Sequence, residues 1–170
     1  MNTLKKYLVV SCCLGLSFVS VKAEDAKKTN EPKGSTMNTS TLSPEAEGKA
    51  FLEKNKTDKD VKVTSSGLQY KVVKKGTGAH PKSTDTVRVH YKGVLINGTE
   101  FDSSYKRNAP AEFPLNRVIS GWTEGLQIME EGATYKFYIP AALAYGNRAL
   151  PGIPANSTLI FDVELIKILK

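Results

Sequence analysis

The chain has 170 residues, of which 40% are hydrophobic and 24% charged, with a formal net charge of +7 at pH 7. That length holds one domain of common size plus appendages and excludes two full domains. Lysine and arginine are interleaved with acids throughout, which argues against a nucleic-acid binder or a basic-surface adhesin, both of which concentrate their charge.

Lys5 and Lys6 form a positive head before an apolar run from Tyr7 to Val21, and Val21-Lys22-Ala23 offers compact residues at the minus-three and minus-one positions of a cleavage site. The reading is a signal peptide over 1–23 and a mature chain from Glu24 that is periplasmic or secreted. The run is shorter than the ~20 residues of a spanning helix, and Ser11, Gly15, Ser17 and Ser20 dilute it, so no membrane span is expected after cleavage. The alternative is a lipoprotein anchored at Cys12, with Val9-Val10-Ser11 before it. Cys12 and Cys13 both fall inside the signal, so the mature chain has no thiol for a disulfide, a nucleophile or a metal site. Lys5, Lys6 and Lys22 account for three of the positive charges, which leaves the mature chain at +4.

Residues 24–42 are rich in Lys, Thr, Asn and Ser with almost nothing to bury, and read as a disordered polar spacer. Ser43-Pro44-Glu45 combines a capping hydroxyl, a proline at the first helical position and an acid in the first turn, so a short helix is expected to about Asn55. Its apolar content is Ala46, Ala50, Phe51 and Leu52, a narrow stripe, and it must dock on something or fray. The segment 43–66 is taken as a short N-terminal helical segment and 67–170 as the main domain.

After Gly67 the period becomes two. Leu68, Tyr70 and Val72 predict one strand, and Val87, Val89 and Tyr91 another. Asn97-Gly98 is a tight-turn signal, and a further strand enters around Glu100 and Phe101. Trp122, Leu126 and Met129 fall at i, i+4 and i+7, the face of an amphipathic helix ending near Gly132. Tyr135, Phe137 and Ile139, then Leu159, Phe161, Val163 and Leu165, predict two more strands. Between them runs a long loop, Ala141 to Ser157, with Pro151, Gly152 and Pro154; loops of that length in a compact domain are usually functional. The sum is α+β: an antiparallel sheet of about five strands around one short helix.

Two histidines, His80 and His90, offer no recognisable metal-ligand spacing, and no Gly-x-Ser-x-Gly elbow marks a hydrolase. No metal or cofactor is expected.

In order along the chain, Val89-His90-Tyr91-Lys92-Gly93, Gly98-Thr99-Glu100-Phe101-Asp102-Ser103-Ser104, Val118-Ile119-Ser120-Gly121-Trp122, Tyr145-Gly146 and Leu159-Ile160-Phe161-Asp162-Val163-Glu164-Leu165 resemble the FKBP family of peptidyl-prolyl cis-trans isomerases. Phe51-Leu52-Glu53-Lys54-Asn55-Lys56 and Ser66-Gly67-Leu68-Gln69-Tyr70 resemble its exported bacterial branch, which includes macrophage infectivity potentiator-like proteins. Those relatives carry a longer helical dimerisation segment; here it is short, which favours a monomer.

The resemblance implies a pocket between helix and sheet, with Trp122 as floor and Tyr91, Phe101, Val118, Ile119, Ile153 and Phe161 as apolar sides. It places Phe113 behind the pocket, while Ala111 stands where relatives often have a phenylalanine and should widen one wall. It implies that the Tyr145 hydroxyl and the Ile119 N–H hold carbonyl oxygens of a proline-containing polypeptide, and that Asp102 orients the pocket and faces the twisting amide carbonyl. It also implies that macrolide inhibitors could compete for the pocket. The competing reading is a binding module that holds proline segments with little turnover.

Overall fold

The structure is a computed structural model that describes residues 42–169. The signal peptide over 1–23, the Cys12 anchor and all of the spacer but Leu42 lie outside the described residues.

Helix α1 runs Pro44–Asn55 and starts as its sequence dictates: the Ser43 hydroxyl accepts from the Ala46 N–H at 3.3 Å, Pro44 needs no partner for its missing N–H, and Glu45 and Glu47 sit at the positive end of the helix dipole. Too weakly amphipathic to stand alone, it docks. The Phe51 ring lies 5.9 Å from that of Tyr138, Asn55 donates to the Gln69 side chain at 2.8 Å, and Gln69 donates to the Leu52 carbonyl at 2.9 Å. Gly48 is buried because a Cβ there would lie 2.4 Å from the Thr158 hydroxyl oxygen.

Gly48→Ala therefore tests the dock. Overpacking costs about 1–3 kcal/mol and the gain in helix propensity returns ~1 kcal/mol, so a modest net loss is expected. Urea unfolding should show a lower midpoint at unchanged slope. Adding Thr158→Ala should restore it; a more stable Gly48→Ala would refute the contact.

Seven antiparallel strands follow: β1 Val61–Val63, β2 Gln69–Lys74, β3 Thr86–Leu95, β4 Glu100–Ser103, β5 Ala111–Pro114, β6 Thr134–Ile139 and β7 Leu159–Leu169. They form one sheet in the order β1-β2-β6-β7-β3-β4, with β5 also pairing β3. Strand β3 is shared along its length, its first half bonded to β5 and its second to β4. The sequence reading found five of the seven. Val61–Val63 and Ala111–Pro114 are three and four residues long, too short for a period-two pattern to declare itself.

Helix α2, Ser120–Ile128, covers one face of the sheet, and Gly125 sits so close to the Phe137 ring that a Cβ would meet it at 2.7 Å. Phe137 and Tyr138 are consecutive in β6 and point to opposite faces. The two helices therefore lie on opposite sides of the sheet. Trp122, Leu126 and Met129 are all buried as their spacing requires, but the helix stops at Ile128, short of Gly132. The segment beyond is drawn off by other partners: Glu131 donates to the Ala79 carbonyl and Gly132, at φ +87°, to that of Leu165. The core between α2 and the sheet includes Val87, Val89, Leu126, Phe137, Val163 and Leu165, all fully buried.

The long loop is not structureless. Ala141–Leu143 is a 3-10 turn, Leu150 and Ile153 exchange two hydrogen bonds of 2.9 Å, and Asn156 donates to the Gly146 carbonyl at 2.7 Å. These bonds make it a folded flap, anchored at its C-terminal end by the buried Thr158 against α1.

Candidate functional site

A cleft of about 630 Å³ opens between the first turn of α2, the strands and this flap. Trp122, held in the helix, is its floor. Its indole meets three rings edge to face: Tyr91 at 5.2 Å, Phe161 at 5.2 Å and Phe113 at 5.6 Å. Phe101 closes the side against Phe161 at 5.4 Å and 85°. Each contact is of the kind aromatic quadrupoles favour, so the rings brace one another at fixed angles.

Gly93 is the reason Phe101 and Phe161 can approach. A Cβ at that position would lie 2.6 Å from the Phe101 ring and 2.8 Å from that of Phe161.

All ten residues singled out in the sequence line this one cleft: Tyr91 from β3, Phe101 and Asp102 from β4, Phe113 from β5, Val118, Ile119 and Trp122 around the start of α2, Tyr145 and Ile153 from the flap, and Phe161 from β7. They arrive from six separate elements. Ala111 does not join them: it lies opposite Val89 in the β3–β5 ladder, partly buried, and contributes nothing to the lining. The wall there is formed by Phe113, which lines the cleft itself rather than standing behind it.

The cleft has few polar atoms. Ile119 stands at the N-terminus of α2, where its carbonyl accepts from Trp122 and Thr123. Among the described residues nothing accepts its own N–H, so the donor is free. The Tyr145 hydroxyl is raised above its ordinary pKa, chiefly by burial and then by Asp102, and stays a neutral donor. The Trp122 indole N–H is buried with no hydrogen-bond partner among the described residues.

Asp102 lines the cleft with both of its oxygens engaged. It does not present a bare carboxylate to the cleft, because one oxygen takes the Tyr91 hydroxyl and the other the Arg107 guanidinium. Arg107 also donates to the Tyr91 hydroxyl oxygen at 2.7 Å and lies 5.5 Å from its ring centre. Burial pushes the Asp102 carboxyl up, but the Tyr91 hydroxyl and Arg107 outweigh it and hold the group below its usual value. Burial and the Asp102 carboxylate push Tyr91 up to about 12. The sequence reading missed Arg107, which reaches back from a turn five residues beyond Asp102. Buried Ser104 fastens that turn: its hydroxyl accepts from the Tyr91 N–H at 2.8 Å, and its own N–H donates to the Tyr91 carbonyl at 3.0 Å. His90 points away from the cleft and stacks on Tyr105 at 4.6 Å.

A sheet wrapped on one helix, with an aromatic cleft at the helix start and a flap over it, defines a class. Residues 77–166 match the family described as FKBP-type peptidyl-prolyl cis-trans isomerase, and residues 19–72 match the domain amino-terminal to it. The chain belongs to the FKBP-type isomerase family. It is 50% identical over 143 residues to the FKBP-type isomerase FkpA of Aeromonas hydrophila, an alignment covering 84% of this chain and 53% of that one. It is 51% identical to the outer membrane protein MIP of Legionella longbeachae, over 74% of this chain and 54% of the other. The crystal structure of FkpA from Escherichia coli superposes with a TM-score of 0.72 at 54% identity, covering 74% of this chain and 59% of that one. The chain spans about half the length of the curated relatives it matches.

Proposed function

We propose that this chain is a peptidyl-prolyl cis-trans isomerase acting on proline-containing segments of exported polypeptides. The observation that carries the proposal is the cleft itself: an apolar aromatic slot on a tryptophan floor, with the Tyr145 hydroxyl and the free Ile119 N–H at its rim.

Rotation about a peptide bond faces a barrier of about 18–20 kcal/mol because conjugation is lost at the perpendicular geometry. The twisted amide has less charge separation than the planar one, so an apolar slot that displaces water stabilises it relative to the ground state. X-Pro bonds are the natural target, since cis and trans differ by only about 0.5–1 kcal/mol yet exchange slowly. Tyr145 and Ile119 would hold carbonyl oxygens flanking the rotating bond, and Trp122 would seat the proline ring. The Asp102–Tyr91–Arg107 triplet would keep the wall rigid and neutral. A rate gain of roughly 10⁴-fold needs ~5.5 kcal/mol of differential binding, which desolvation and two or three positioned hydrogen bonds can supply. No covalent intermediate is required.

Export is supported by the signal-like leader at 1–23 and by the relative named as an outer membrane protein. No helix among the described residues is long and apolar enough to cross a membrane. The division into a leader, a spacer, a helical segment and an isomerase domain remains part of the proposal, as does a monomeric state, which sedimentation reads.

The test is the cis-to-trans rate of a short X-Pro peptide with residues 24–170, beside Tyr145→Phe. Clear acceleration, reduced several-fold in the variant, which loses one hydrogen bond worth about 0.5–1.5 kcal/mol, and suppressed by a macrolide of the FKBP-binding kind, is expected. A folded protein that binds the peptide without accelerating it would instead be a proline-recognising binding module.

A further inference from the structure

The cleft is apolar within and one-sidedly cationic at its edges. Its lining contains a single acid, Asp102, whose charge is matched by Arg107. Arg117 also lines it, from the short turn before α2, and is exposed. Among the described residues Arg117 forms no ion pair, and neither does Arg148. Arg148 is exposed on the flap, three residues from Tyr145 and bonded through its N–H to the Tyr145 carbonyl at 3.1 Å. It is near enough to act on the Tyr145 hydroxyl, where it opposes the upward push of burial and of Asp102.

Each of these cations neighbours one of the two carbonyl-holding groups. Arg117 is two residues before Ile119, at the α2 end; Arg148 is beside Tyr145, at the flap end. Elsewhere in the described chain arginine is used up: Arg88 pairs with Glu112 at 2.7 Å and Arg107 with Asp102. A segment seated in the slot with its proline over Trp122 would pass Arg117, which lines the cleft, and Arg148, which follows Tyr145 on the flap. With no carboxylate among the described residues to satisfy them, the guanidinium groups are open to one on the client, and their planar forks suit it.

We propose that the cleft selects X-Pro segments carrying an aspartate or glutamate within about two residues of the proline, recognised by Arg117 at one end and Arg148 at the other. This rests on the proline-segment reading of the cleft. Acidic flanks are favoured over neutral ones and neutral over basic ones, the effect being electrostatic and weakened by salt.

The test uses matched proline peptides with Glu, Gln or Lys on the N-terminal side, the C-terminal side or both. Two readouts separate the inference from the isomerase reading: isomerisation rate, and binding followed by fluorescence of Trp122, the only tryptophan in the chain. The expected ranking is Glu over Gln over Lys, by about two- to five-fold for each exposed charge pair, shrinking toward unity in high salt. Arg117→Glu should reverse the ranking for one flank and Arg148→Glu for the other, each compared with the Gln peptide on the same variant. Charge-ranked binding without rate acceleration would sink the isomerase reading and support the inference. Equal binding and equal rates for Glu, Gln and Lys peptides would overturn the inference while leaving the isomerase reading in place. A ranking that survives both reversals would also overturn it, since the charge would then be read elsewhere.

Discussion

Asp102→Ala is expected to lower kcat/KM for an X-Pro peptide by on the order of 10²-fold, the loss typical when a wall of a site shifts by about an ångström. Removing the carboxylate releases two groups at once: the Tyr91 hydroxyl loses its acceptor, and Arg107 loses the partner that keeps it folded against the ring. A free guanidinium would then sit unneutralised at an apolar slot. Asp102→Asn keeps an acceptor without the charge and should fall between alanine and wild type. A circular-dichroism and unfolding comparison checks that the fold survives, and wild-type turnover in a folded Asp102→Ala protein would remove the triplet from the mechanism.

The pH dependence follows in sign. The Asp102 carboxyl lies below its ordinary value in the folded chain, so its contribution is complete above the unfolded value of about 3.9 and is lost as pH falls through the lower folded value. Its side chain is 41% exposed, so solvent screens the pair and the stability involved is small. Activity should accordingly be flat from neutral pH down to the ordinary carboxylate range and fall only beneath it. For Tyr91, raised to about 12, the contribution is present below its unfolded value of about 10 and is lost as pH rises through about 12. An activity loss centred at pH 6 would show that another group controls the cleft.

Trp122→Ala carries the largest expected effect on stability. The indole is 5% exposed and touches rings from three strands, so truncation should cost about 3–5 kcal/mol and leave a cavity where the proline would sit. Against a total of some 5–15 kcal/mol for a domain, this is a large share. Trp122→Phe separates packing from polarity. It keeps an aromatic floor and deletes a buried N–H that has no acceptor among the described residues, so its cost in urea unfolding should be well under half that of alanine. A loss below about 1 kcal/mol for Trp122→Ala would mean the floor is not the keystone of the aromatic cluster.

How much of this was legible beforehand depended on the range of the signal. The start of α1 was readable because a cap is local: Ser43, Pro44 and Glu45 determine it within one turn. Strands β3, β6 and β7 were readable because six to eleven residues of alternation declare a half-buried strand. Strands β1 and β5 were not, since three or four residues carry no period; they are strands because β2 and β3 offer them partners. The end of α2 was misplaced for the same reason, as Glu131 and Gly132 are claimed by Ala79 and Leu165, which are distant in sequence.

The site divides along the same line. The amino-acid sequence by itself determined which aromatics, which tyrosine and which helix start would meet, because their order and spacing match a family whose fold brings them together. Only the tertiary structure decided what Asp102 faces, that Ala111 stays out of the cleft and that Arg107 completes the wall. It also decided that Arg117 and Arg148 pair with no carboxylate among the described residues. Those outcomes depend on side-chain directions and on partners brought close by β3 pairing with β4 and β5 and by the flap folding over α2, and a charge's partner in three dimensions leaves no period or motif along the chain.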